Sequence, residues 1–80
     1  MAQYIVINEH TSEQCGPMEK DMDKIPDRLR GLDFLCTCPG GVHGYYMVIE
    51  GDSSEDVLRA LPESMRLGST KAVPLEIFKL

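Results

Sequence analysis

The stretch Cys36-Thr37-Cys38-Pro39-Gly40-Gly41-Val42-His43-Gly44 gathers two of the chain's three cysteines and one of its two histidines. The remaining pair, His10 and Cys15, stands close together near the N-terminus. Thiolate and imidazole are the ligands that zinc, nickel and copper favour. The Cys-x-Cys spacing with a single following histidine is unlike a zinc knuckle, so any metal site must be assembled by the fold. A second chemistry is nucleophilic or redox: Cys38 beside His43, or Cys15 at a helix start, would have its thiol pKa lowered. Neither has a recognisable third group to orient a base, and catalysis of that kind needs one. The Gly40 and Gly41 amides could cradle an anion or simply make a turn. The plain alternative is that Cys36 is a small core hydrophobe and both histidines are surface residues.

An odd number of cysteines argues against a disulfide framework. On a strand, Cys36 and Cys38 would have Cα atoms ~6.5–7 Å apart, too far for easy bridging. Three reduced thiols point to the cytoplasm. No apolar run approaches the ~20 residues of a membrane span, and the start lacks a basic region or cleavage pattern. The net charge of −5 argues against nucleic acid or an anionic membrane as partner.

The elements that must position these residues are legible in the hydrophobic pattern. Residues 3–9 form a first strand around Tyr4-Ile5-Val6-Ile7, apolar on both faces, which Asn8-Glu9-His10 closes. Thr11 and Gln14 fit a capping box, and Pro17 suits the first position of a main helix. Met18, Met22, Ile25 and Leu29 make one apolar stripe on it, with Pro26 ending or kinking the helix. Residues 32–38 read as a second strand. Pro-Gly-Gly turns it into a third over residues 44–50, again apolar on both sides. Ser53 with Asp56 three residues on caps a second helix burying Val57, Leu58 and Leu61. The last strand covers residues 71–80, with Pro74 suited to an edge.

Eighty residues make one domain, 1–80, and the order β-α-β-β-α-β is the ferredoxin-like α+β pattern. That pattern has a four-stranded antiparallel sheet in the order 4-1-3-2 with two helices on one face. It places the end of the first strand beside the start of the third. His10, Cys15, Cys38 and His43 then share one end of the sheet. His10, Cys38 and His43 are the main candidate ligands for a divalent transition metal, zinc or nickel; Cys15 and Cys36 rank behind them. Tyr4, Tyr45 and Tyr46 are candidates to line a small-molecule pocket. The open face of the sheet is apolar, and a second copy of the chain is its simplest cover, giving a homodimer.

The opening QYIVINEHT, the CTCPGGVHGYYM segment, the length and the element order resemble the dimeric α+β barrel proteins. The nearest likeness is to an uncharacterised bacterial and archaeal family of that group. The resemblance implies two ferredoxin-like subunits packed sheet against sheet. That group includes monooxygenases, small-ring isomerases, stress-response proteins and a nickel-binding branch. The chain does not match the catalytic pattern of any enzymatic branch. Three readings follow. The first is a homodimeric binding protein with a Cys/His site for a metal or small ligand. The second is a cofactor-independent enzyme of isomerase or monooxygenase type. The third is a structural or interaction module without a site.

Overall fold

The Tyr4-Ile5-Val6-Ile7 run does form the centre of the protein. In the computed structural model, which describes residues 2–20 and 22–80, it lies in β1 (Ala2–Glu9). Next come α1 (Cys15–Lys20), β2 (Leu35–Cys36) and β3 (Gly44–Gly51), then α2 (Ser54–Arg59) and β4 (Ser69–Pro74). The strands make one antiparallel sheet in the order β2-β3-β1-β4, which reads 4-1-3-2 from the opposite edge. The long apolar strands β1 and β3 are central. The architecture is α+β, an open four-stranded sheet with two short helices.

Strand alternation divides the apolar residues between two faces. Tyr4 and Val6 of β1 and Tyr45, Met47 and Ile49 of β3 are buried together with Met18, Leu29, Val57, Leu61 and Met65. This is the core between sheet and helices. Tyr45 spans it, and its hydroxyl donates to the Met65 carbonyl at 2.7 Å. Burial alone pushes that phenol's pKa well up, so it stays a neutral donor. Ile5, Ile7, Tyr46, Val48 and Val73 alternate onto the other face, where they are half-buried or exposed.

Three elements are shorter than the pattern predicts. The stripe from Met18 to Leu29 is one apolar face, but not one helix. A 3-10 turn at Ser12–Gln14 leads into α1, and 3-10 turns at Met22–Lys24 and Asp27–Leu29 follow it. Pro17 is the third residue of α1 rather than its first, and Asp21 lies outside the described residues. Residues such as Met18, Met22 and Leu29 can face one core through consecutive turns without unbroken helical hydrogen bonding. The second strand shrinks from 32–38 to Leu35–Cys36, because Thr37 leaves the extended region (φ −98°, ψ 0°) and Cys38–Gly40 form a 3-10 turn. The last strand ends at Pro74 rather than Leu80. One further backbone bond, from Leu75 N to Gln3 O, follows it at 3.1 Å. The two caps form as expected: Gln14 Oε1 accepts from Thr11 N at 2.9 Å, and Ser53 Oγ accepts from Asp56 N at 3.1 Å.

Candidate metal centre

The β1/β3 register carries His10 and His43 to the same place. Glu9 pairs with Gly44, and the next bond runs from His10 N to His43 O at 3.0 Å. Gly44 permits this approach, since a Cβ there would overlap the Asn8 carbonyl. The turn after β2 is held by Thr37, whose hydroxyl donates to the carbonyls of Val42 and Gly44. Gly41 closes it with φ +86°, the left-handed conformation that glycine adopts without strain. Cys38 is thereby folded back over His43. Cys15, the first residue of α1, approaches from the helix side.

Four side chains converge. Cys15 Sγ lies 3.0 Å from His43 Nδ1, 3.1 Å from His10 Nε2 and 3.7 Å from Cys38 Sγ. Cys38 Sγ is 3.5 Å from His10 Nε2. The two imidazole centroids are 6.0 Å apart, and one donor atom from each of the four residues lies within 4.8 Å of all the others. All four side chains are half-buried. His10, Cys15, Cys38 and His43 can therefore hold a metal ion between them. The sequence placed three of these first and Cys15 behind them, yet Cys15 stands within hydrogen-bonding reach of the other three. Cys36 is exposed and outside the cluster.

Asn8 is the residue that the sequence reading missed. In the sequence Asn8 marks the polar close of the first strand; in the structure it is inside β1 and only 1 % exposed. Both its amide hydrogens are committed, Nδ2 donating to Leu67 O and Thr70 Oγ1, each at 2.8 Å. Its Oδ1 must then face His10 Nδ1, 2.7 Å away. That contact puts the ring proton on Nδ1 and leaves the Nε2 lone pair aimed at the two sulfurs. A metal-binding histidine is commonly oriented by such an outer partner. The available signal was parity: alternation from Tyr4 and Val6 points Asn8 inward.

The thiols differ in their readiness to ionise. Desolvation, the largest influence on Cys38, opposes its thiolate. Hydrogen bonds from Cys36, His43, the Gly44 backbone and Cys15 together outweigh it and lower the pKa to about 6. Cys15 is pushed up, first by desolvation and then by its contact with Cys38. This overturns the expectation that a helix start would lower it, and α1 with six residues has little dipole to offer. Cys36 accepts from the Cys38 backbone, which favours its thiolate, but desolvation and Cys38 prevail and its pKa is raised. Without an ion the pair therefore favours one thiolate, Cys38, beside one thiol, Cys15.

The candidate tyrosines are not brought to one pocket. Tyr4 lies opposite Ile49 and Tyr45 opposite Asn8, at different ends of the same buried face, while Tyr46 is on the other face. Beside the cluster a cleft of ≈ 20 Å³ runs between Met18, Met22, Phe34 and Cys36. It has room for about one water molecule and none for an organic ligand. A wider hollow of ≈ 750 Å³, lined by Gln3, Glu50, Pro74 and Ile77 among others, is at the opposite end of the sheet and contains no cysteine or histidine. Among the described residues no helix is long and apolar enough to cross a membrane. Compared with family models, with curated proteins and with solved structures, the chain finds no match.

Proposed function

We propose that this chain is a small binding protein that holds one divalent transition-metal ion, zinc before nickel, in a His2Cys2 site. The observation that carries the reading is the convergence of His10 Nε2, Cys15 Sγ, Cys38 Sγ and His43 Nδ1. Zinc bonds of about 2.3 Å to sulfur and about 2.0–2.1 Å to nitrogen imply donor separations of roughly 3.3–3.8 Å on a tetrahedron. Four of the separations here are 3.0, 3.1, 3.5 and 3.7 Å, and small rotations suffice to meet those edges. Two thiolates would neutralise a divalent charge, which suits a half-buried site. Four protein ligands fill a tetrahedral shell and leave no open position for a substrate. That favours binding over catalysis. Three free thiols suit a reducing compartment such as the cytoplasm.

The test is titration of reduced, metal-free protein with zinc against a competing chelator, followed by X-ray absorption of the complex. One equivalent bound, with two sulfur and two nitrogen neighbours, is expected. Square-planar coordination with tighter binding of nickel would reassign the ion; no stoichiometric binding of either would refute the site.

A second reading concerns the frame. The element order and the shared helix-side core support a ferredoxin-like arrangement of the kind the dimeric α+β barrels use. Ile5, Ile7, Tyr46, Val48 and Val73 form an apolar patch on the uncovered face, and such patches mark association surfaces. A homodimer closed through this face would put the metal sites at the ends of the paired sheets. Sedimentation equilibrium at micromolar concentration should give twice the chain mass, and a monomer would overturn it.

A further inference from the structure

We infer that Cys15 and Cys38 are also an oxidation site for hydrogen peroxide, and that the disulfide they form expels the metal ion. This rests on the metal-binding reading and adds to it a condition for release. The two sulfurs are 3.7 Å apart across 23 positions of sequence, so a tertiary contact has already brought together two atoms that a disulfide would join. A disulfide of ~2.05 Å requires the sulfurs to approach by less than about 2 Å. The same two sulfurs are half of the proposed ligand set, so one bond between them removes two ligands at once. His10 and His43 are then left as the only donors.

Both sulfurs are accessible. Cys15 and Cys38 are only half-buried, and a cleft of ≈ 20 Å³ bordered by Met18, Met22, Phe34 and the exposed Cys36 reaches them, with room for a small molecule. In the reaction one thiolate attacks a peroxide oxygen, forming a sulfenic acid and releasing hydroxide. The second thiolate attacks the sulfenic sulfur, forming the S–S bond and releasing a second hydroxide. Two electrons pass from the sulfurs to the O–O bond, and two protons from solvent convert the hydroxides to water. The ion leaves with its charge unchanged. A dithiol reductant reverses the chemistry and restores the ligands.

Cys36 is exposed and outside the ligand set, which gives the experiment its control. Zinc-loaded protein is treated with hydrogen peroxide while a chromogenic chelator reports free zinc, and the products are mapped by mass spectrometry. Expected are one zinc released per chain, free thiols falling from three to one, and a Cys15–Cys38 bridge. Dithiothreitol should restore one equivalent of binding, and Cys36→Ser protein should release zinc to the same extent. Zinc retained under peroxide, a bridge through Cys36, or loss of zinc through sulfinic acids alone would overturn the inference while leaving the metal site standing. Reduced protein that binds no zinc or nickel in the preceding titration would overturn both.

Discussion

The two ends of the sheet are both polar, and they solve the problem in opposite ways. At one end Arg28 grips Asp56 through both guanidinium nitrogens, at 2.8 and 3.2 Å, and also donates to the Glu50 carbonyl at 2.8 Å. Asp56 in turn accepts from Asp52 N at 3.1 Å, while its own N–H is capped by Ser53. Cation and anion come from the same chain, and they pair directly with each other. At the other end four lone-pair donors point toward one another, and what they can share is a proton or an added ion. The clasp ties α2 and the 3-10 turn at Asp27–Leu29 to the end of β3. The cluster ties α1, the hairpin and β1 only when something bridges it. The difference separates a structural use of polar groups from a ligand-binding one.

The sharpest way to break this comparison is to remove a ligand. Cys15→Ser or Cys38→Ser should weaken zinc binding by more than the roughly 10–100-fold typical of losing an outer partner, and binding should also fall as pH drops because protons compete for the same atoms. Arg28→Ala should leave zinc affinity unchanged in the same competition assay. If it did not, the two ends would not be independent.

A smaller effect is expected at Asn8. Asn8→Ala should cost about 10–100-fold in zinc affinity through loss of the His10 orientation, and it should lower thermal stability by leaving the Leu67 carbonyl without its donor. Asn8→Asp keeps an acceptor for His10 Nδ1 and loses both donations. It should retain most of the affinity while still lowering the melting temperature. Equal losses of affinity in both variants would show that Asn8 acts through packing alone.

At the clasp the response should be to acid. The Arg28 guanidinium, foremost among the influences on Asp56, holds its carboxyl down at about 2. An aspartate in the unfolded chain titrates near ~3.9. Its folded pKa is the lower one, so its stabilisation is complete above the unfolded value and is lost as pH falls toward 2. Asp56→Asn should lower the melting temperature at neutral pH and shrink the drop between pH 4 and 2. An unchanged acid limb in thermal melts of the variant would assign that drop elsewhere.

The smallest effect is expected at Pro74. Leu75 N donates inward to Gln3 O, so the neighbouring Pro74 nitrogen faces the free edge of β4, where no ladder bond is lost. Pro74→Val should change stability by no more than about 0.5 kcal/mol in denaturant melts, and it restores an outward N–H that favours edge association. Severe unfolding would mean that the proline fixes the path of residues 75–80.

Strand alternation and turn chemistry are local properties, and they were readable from the residues alone. Tyr4 to Ile7 and Tyr45 to Ile49 announce central strands, Pro-Gly-Gly announces the hairpin, and Ser53 with Asp56 announces a helix start. The element order then brings His10 and His43 to one end before any coordinate is known. Element lengths were less legible, because an apolar stripe such as Met18–Leu29 satisfies a core equally well through one helix or through successive turns.

What only the tertiary structure decided is which atoms meet. Periodicity assigns a face to a residue and no position along a docked helix, so Cys15 could not be promoted over Cys36 until α1 was seated against the hairpin. Cys36 ranks behind Cys38 in the sequence, and the turn beginning at Thr37 separates them further by folding the Cys38 sulfur inward and leaving Cys36 exposed rather than in the core. Asn8 required still more. Its role depends on Leu67 and Thr70 in the last third of the chain taking both amide hydrogens, so that one oxygen remains for His10. Local residue chemistry determined the frame of this protein; long-range register and side-chain packing decided the donor set it carries.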